Sequence, residues 1–399
     1  MRRLLIALAT SACTLSAHAM HATALPPPDP AMAAIDILLN KGDPWHDYVA
    51  LRARLAGIPA STRHPALDPF AQADTLFGRY ADATRHYLEY APNAAAPIAC
   101  PGTPWHRSGL DALPALIGDA RVVVINEAHI EPATRATVIA LLPALRKMGF
   151  RHIALEALVT GKAEALGKRG YAHDDTEAAV YLREPVFAEL IREAAAQGFD
   201  FVAYDQPEAA NGGREAASAA LLKAWLDAHP GEKLLVQVGY AHVRREQGWL
   251  AERLSKLPGL AMVTIDQVSG IRGCAGDGAV AAAPSVWTQA GKGWSLHPAL
   301  IDITLTWARD DRRGAANSWM TLGGQRREVT LPSSTCGGKR PCLVEALVPG
   351  EDKGVPADRL GLAGKNEQPI LYLKPGNYAL RVTAGSSAPT TTTLTVPPL

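Results

Sequence analysis

Between residues 121 and 266 the chain alternates five short apolar runs with helical stretches, and this alternation constrains the fold more than any other feature. The first run, Arg121-Val122-Val123-Val124-Ile125, is continuous rather than alternating. Such a run suits a strand covered on both faces, as in parallel sheets. The next runs lie at 152–155, 199–204, 233–238 and 260–265. Helical spacing fills the gaps at about 132–148, 176–196, 214–228 and 244–256. Pro132 suits a first helical turn and Gly149 a stop. Strands alternating with helices predict an α/β fold, a mostly parallel sheet with flanking helices and right-handed crossovers.

The regions around this core read differently. Residues 33–92 show helical spacing, with stripes at Ile35, Leu38, Leu39 and at Tyr48, Leu51, Leu55; Pro59, Pro65 and Pro69 are expected to break the run. A further helix is expected around Arg79 to Arg85. After 290 the pattern becomes β-like. Residues 301–307 alternate, and residues 370–373 meet Pro375-Gly376-Asn377 and then 378–382, a hairpin signal. Residues 390–396 could add an edge strand. The expected layout is a leader over 1–19, an N-terminal helical subdomain over 20–110, the α/β core over 111–290 and a small C-terminal antiparallel β unit over 291–399.

The leader is read from Arg2-Arg3, the apolar Leu4-Leu5-Ile6-Ala7-Leu8-Ala9 and the site Ala17-His18-Ala19, the pattern of a secretory signal peptide. It implies a periplasmic or secreted protein. The alternative is a lipoprotein acylated at Cys13, but Thr10 stands where a leucine-like residue is expected. No later run reaches the roughly 18 apolar residues of a spanning helix, so no integral membrane segment is expected. The net charge of +1 gives no basic field for nucleic acid. Beyond the leader four cysteines remain, an even count that suits disulfides in an exported chain. Cys336 and Cys342 bracket a turn-rich segment and are paired locally, which leaves Cys100 with Cys274. No Cys-x-x-Cys spacing supports zinc.

In an open α/β sheet, ligands bind beyond the carboxyl ends of the strands. Here each exit carries an ionisable residue: Glu127 and His129 after the first strand, then Glu156, Asp205, His242 and Asp266. A carboxylate beside an imidazole can orient the ring and supply a general base. The bland alternatives are a capping loop for Glu127 and His129, a structural ion pair for Glu156, a helix cap for Asp205 and a surface loop for His242. Arg135, in the first turn of the next helix, either faces the same crevice or is a solvated surface arginine. Tyr171-Ala172-His173-Asp174-Asp175 either overhangs the site or caps a helix through Asp175 or Thr176. No Gly-x-Ser-x-Gly elbow, phosphate loop or dinucleotide fingerprint is present.

Asn126-Glu127-Ala128-His129, Arg135, Leu155-Glu156 and Gly239-Tyr240-Ala241-His242 resemble the erythromycin esterase-like superfamily, which includes ChaN-type haem-binding lipoproteins and TIKI/TraB proteins. The resemblance covers about residues 120 to 267, and Asn126 departs from the usual glycine. It implies a hydrolase in which His129 activates water toward an ester or amide, Glu127 and Glu156 orient, Arg135 positions charge and His242 assists. Asp205, Asn126 and Tyr240 are the expected contacts to a small-molecule or peptide substrate. The esterase-like relatives imply no required cofactor; the others imply a divalent metal or haem.

Overall fold

The computed structural model describes residues 29–174, 180–207, 209, 213–275, 284–306, 319–364 and 366–398. The expected leader, with Cys13, lies outside them, as do Asp175 and Thr176.

Six parallel strands form the core: β1 (Val122–Glu127), β2 (Phe150–Val159), β3 (Asp200–Asp205), β4 (Lys233–Gly239), β5 (Met262–Asp266) and β6 (Ile303–Thr306). Their spatial order is β6-β5-β1-β4-β2-β3. Strand β4 is thus inserted between β1 and β2, with Glu127 level with Gly239 and Leu155 level with Gln237. Ser285–Gln289 adds antiparallel to β6, and His106–Ser108 extends that edge. Strand β6 was expected in the C-terminal unit; Ile265 instead pairs with Ile303 and Asp266 with Thr304. The buried Ile303 and Leu305 continue the apolar face of the sheet, which explains the capture.

Both faces are covered. Val123 and Ile125 pack with Val138, Ile139 and Leu142 of helix Ala133–Lys147, and with Phe187 and Leu190 of helix Pro185–Ala196. Val122, Val124, Leu234 and Val236 pack with Leu222 and Leu226 of helix Arg214–Ala228 on the other face. Side chains alternate across a strand, so a continuous apolar run serves both layers.

Several expected boundaries move. The helix expected from 176 begins at Pro185, where the Glu184 carboxylate accepts from Val186 N and Phe187 N, and the proline occupies the first turn. The helix expected over 244–256 shrinks to Leu250–Ser255. Gln247 (φ 54°) and Gly248 (φ 77°) are left-handed and cannot continue it. Glu156 lies inside β2 rather than at its exit, next to an irregularity between Leu155 and Val159.

Four helices precede the core: Pro30–Leu38, Pro44–Leu55, Ala60–Leu76 and Tyr80–Tyr90. Asp29 and Asp43 cap the first two. Pro65 and Pro69, expected as breaks, sit inside the third helix. Each proline costs that helix a backbone hydrogen bond, but Leu67, Phe70 and Ala73 bury their side chains in the cluster shared with the first two helices. The first stripe is also rotated. Ala34, Ile37 and Leu38 are buried, and Ile35 and Leu39 face outward.

The C-terminal unit has a four-stranded antiparallel sheet, Asp358–Leu362, Cys342–Leu347, Gly376–Ala384 and Thr390–Val396 in spatial order. The expected hairpin at Pro375-Gly376-Asn377 does not form. Ile370–Leu373 pairs with Arg327–Thr330, while Gly376–Ala384 pairs with Cys342–Leu347 and with the edge strand Thr390–Val396. Both expected disulfides are present, Cys100–Cys274 and Cys336–Cys342. Among the described residues no helix is long and apolar enough to cross a membrane.

Candidate functional site

Glu127, His129, Glu156, Asp205 and His242 come together around the carboxyl end of β4. Two ionic clusters meet there, one built on helices of each sheet face.

The first cluster centres on Glu127, the last residue of β1, which is 3% exposed. Its Oε1 lies 2.7 Å from His129 Nδ1, and its Oε2 accepts from Arg135 Nε at 2.5 Å. Burial pushes the Glu127 carboxyl up, but Arg135 and His129 outweigh it and hold it down to about 2. Arg135 is fully buried. It also donates from Nη1 to Glu184 at 3.0 Å and from Nη2 to the His129 carbonyl at 3.2 Å. Its guanidinium lies over the Phe187 ring, 5.0 Å from the centroid. Arg135 is therefore neither a surface residue nor placed to touch a ligand; it fixes Glu127. Glu184 receives Tyr80 Oη at 3.1 Å in addition to its two backbone donors.

These contacts define the orientation of His129. With Nδ1 directed at a carboxylate, the neutral ring carries its proton on Nδ1 and presents the Nε2 lone pair. Tyr181 stacks on one face at 3.9 Å, and Tyr240 meets the ring edge-on at 4.9 Å. No hydrogen-bond partner for Nε2 is present among the described residues. The side chain is 11% exposed.

The second cluster holds Glu156. Its Oε2 accepts from Gly239 N, and its Oε1 accepts from Arg214 Nη2 at 2.8 Å. Arg214 also donates from Nε to Asp205 at 2.9 Å. Burial raises the Asp205 carboxyl despite that partner. His242 Nδ1 lies 2.9 Å from Glu215 and Nε2 lies 3.6 Å from Glu156. Burial pushes the His242 imidazole down; the Glu215 hydrogen bond and the Glu156 charge outweigh it and raise it above the ordinary value. The cavity bounded by Glu156, Asp205, Arg214, Glu215 and His242 measures about 10 Å³, the scale of one water molecule.

Gly239 joins the clusters. A Cβ there would stand 2.7 Å from Glu156 Oε2, 2.8 Å from His129 Cε1 and 3.1 Å from His129 Nε2. Its φ of −81° is open to any residue, so space and not backbone geometry calls for glycine. His129 and Glu156 thus occupy the notch that a missing side chain leaves. The following Tyr240 has φ 33°, in the left-handed region. Its carbonyl accepts from Asn126 Nδ2 at 2.9 Å, which pins the turn.

Asn126 is a brace. Its Nδ2 also donates to Asp266 at 2.8 Å, and its Oδ1 accepts from Gln267 N at 2.8 Å. Asp266 spends its Oδ1 on Asn126 and on the amides of Val268 and Ser269. The stretch from Tyr171 to Asp174 does not overhang the site. His173 bridges to Gly354, and Asp174 pairs with Arg183 and Arg359.

The helices before the core supply residues that sequence reasoning missed. On the last of them, Tyr80, Thr84 and Tyr87 share one face by their spacing. Tyr80 reaches Glu184, Thr84 approaches Glu131 at 3.5 Å, and Tyr87 neighbours Tyr240. Asp68, raised by burial, stands near His129. Arg214, Glu215, Tyr181 and Glu184 were also missed; only Glu184, in a Glu-Pro pair ahead of an apolar helix, carried a capping signal.

No family model matches the chain, and no curated protein matches it. Among solved structures it is similar to one described as bacterial protein toxins, with 18% identity and a TM-score of 0.32 over 56% of this chain and 55% of that one. It is also similar to RRSP, a MARTX toxin effector domain from Vibrio vulnificus CMCP6, with 21% identity and a TM-score of 0.29 over 52% and 44%. The chain spans about half the length of the structures it matches.

Proposed function

We propose that the protein is an exported hydrolase of the erythromycin esterase-like type, in which His129 activates water toward an ester or amide carbonyl. The observation that carries this reading is the state of His129. Its Nδ1 is fixed by the buried Glu127, and its Nε2 edge lies across the Gly239 notch from the Glu156 carboxylate. A general base needs that arrangement: one nitrogen held, the other free within reach of one water.

The steps balance simply. Nε2 takes a proton from water as the water oxygen bonds to the acyl carbon. The carbonyl electron pair moves onto its oxygen to give a tetrahedral oxyanion. When that pair returns, the bond to the leaving oxygen or nitrogen breaks and the leaving group takes the proton from Nε2. Glu127 stabilises the transient imidazolium. His242, raised by Glu215 and Glu156 against burial, assists by positioning Glu156. Arg214 keeps Glu156 and Asp205 in place.

A metal-dependent peptidase of the TIKI type asks for carboxylate oxygens able to ligate. All four oxygens of Glu127 and Glu156 already accept from His129, Arg135, Arg214 or Gly239 N. These commitments to ion pairs and a backbone amide favour the metal-free reading. Haem asks for an axial side chain facing an open slot. Tyr181 covers one face of His129 and both His242 nitrogens face carboxylates, which favours the hydrolytic reading over a haem site.

The test is hydrolysis of a panel of 4-nitrophenyl esters and anilides by wild type and His129→Ala. Loss of at least 100-fold in kcat/KM is expected; activity surviving in the variant overturns the proposal.

A further inference from the structure

Gln237 is 1% exposed, and both polar atoms of its amide, Nε2 and Oε1, are buried with no partner among the described residues. It lies in β4 between Ile125 of β1 and Leu155 of β2. Burying an amide unpaired is costly, and buried polar groups are almost always satisfied. Something must hydrogen-bond this one.

Its place in the strand indicates what. Residues two apart on a strand project to the same side. Gln237 therefore projects to the side on which Gly239 lacks a Cβ, the side occupied by His129 Nε2 and Glu156 Oε2. Two residues earlier, Leu235 on that side belongs to the apolar core. Gln237 stands where this side of β4 changes from core to site. Two residues along a strand span roughly 7 Å, a gap that a glutamine side chain and one water can bridge. Its register neighbours Ile125 and Leu155 are apolar, and the next position on this side of β4 is the Gly239 notch with His129 and Glu156.

We propose that Gln237 holds the water that His129 activates. Its amide oxygen accepts one water proton, which leaves the other to point at His129 Nε2 and a water lone pair to face the substrate carbon. Proton transfer to Nε2 and bonding of the water oxygen to the acyl carbon then follow as in the hydrolytic steps above. This inference rests on the hydrolase reading for its catalytic meaning, and on the buried amide for the water itself.

The experiment compares wild type with Gln237→Met, which keeps length and removes both polar atoms. Three measurements are made: a crystal structure fine enough to show buried water, the melting temperature, and kcat and KM on 4-nitrophenyl acetate. Wild type is expected to show a water within hydrogen-bond distance of the Gln237 amide and of His129 Nε2. Gln237→Met is expected to lose that water, to melt at the same temperature or a few degrees higher, and to lose at least tenfold in kcat with KM within twofold. A stable variant with unchanged kcat overturns the inference, because the amide is then only an idle polar group. A variant that melts lower also overturns it, because the amide then has a structural partner. Absence of the water from the wild-type crystal overturns it whatever the kinetics. A wild type that carries the water but hydrolyses no ester overturns the hydrolase reading and upholds the water site.

Discussion

Arg135 Nε lies 2.5 Å from Glu127 Oε2, with side-chain exposures of 1% and 4%. An arginine this deep is held there by carboxylates on two sides, since Glu184 takes its Nη1. Removing the guanidinium strands two buried charges. Arg135→Ala is expected to lose about 3–5 kcal/mol of stability, the cost of breaking a buried pair. Chemical denaturation measures it; a loss below about 1 kcal/mol contradicts the described network. Arg135→Lys should recover little, because one ammonium cannot serve both carboxylates in the fork geometry.

The pH dependence of stability follows from the same pair. Glu127 is depressed in the folded state, to about 2 from an ordinary 4.5. A depressed carboxyl contributes stability that is complete above about 4.5 and disappears as pH falls toward 2. Melting temperature is therefore expected to fall across that window, and less steeply in Glu127→Gln. Equal slopes in the two proteins would remove Glu127 from the acid response.

His242 carries the opposite sign. Its imidazole is raised above 6.5 in the folded state by Glu215 and Glu156, against burial. Its contribution is complete below 6.5 and is lost as pH rises through the folded value. NMR titration of the His242 ring should show the elevation in wild type and a clear reduction in Glu215→Gln. An unmoved titration in that variant would sever the Glu215 link.

Gly239→Ala tests the notch. The backbone accepts alanine, but the new methyl would stand under 3 Å from both His129 and Glu156. Hydrolysis is expected to drop at least 100-fold, as both side chains move off the geometry a base requires, while circular dichroism stays that of the wild type. Undiminished activity would show that the two side chains need not share that space.

The two disulfides should differ in worth. Cys100–Cys274 closes a separation of 174 residues and Cys336–Cys342 one of 6. Loop-closure entropy gives about 5 kcal/mol for the first and about 2 kcal/mol for the second. Paired Cys→Ser replacements compared by denaturant midpoint should rank in that order.

Much of the core was legible because continuous apolar runs, glycine stops and a Pro132 start are local signals. So were the carboxylates at Glu127, Asp205 and Asp266, because a strand end is also local. What escaped is what depends on distant partners. Nothing near Ile303 says that it will lie beside Ile265, and nothing near Pro375 says that the strands flanking it belong to different sheets. Arg135 was visible as a helix residue, but its burial depends on Glu184, forty-nine residues away. Tyr80 and Asp68 belong to helices read as a separate subdomain, so their approach to Glu184 and His129 left no trace in spacing.

The helices before residue 91 are clasped by strands after residue 341. Gly361 N donates to the Phe77 carbonyl at 2.8 Å, Arg79 Nη1 donates to the Gly361 carbonyl at 2.8 Å, and Leu343 is buried among the helical side chains. During synthesis these helices emerge before the parallel sheet, and the strands that clasp them emerge after it. The Tyr80 hydroxyl on Glu184 thus comes from a helix whose clasp is made only after every strand of the parallel sheet has been synthesised.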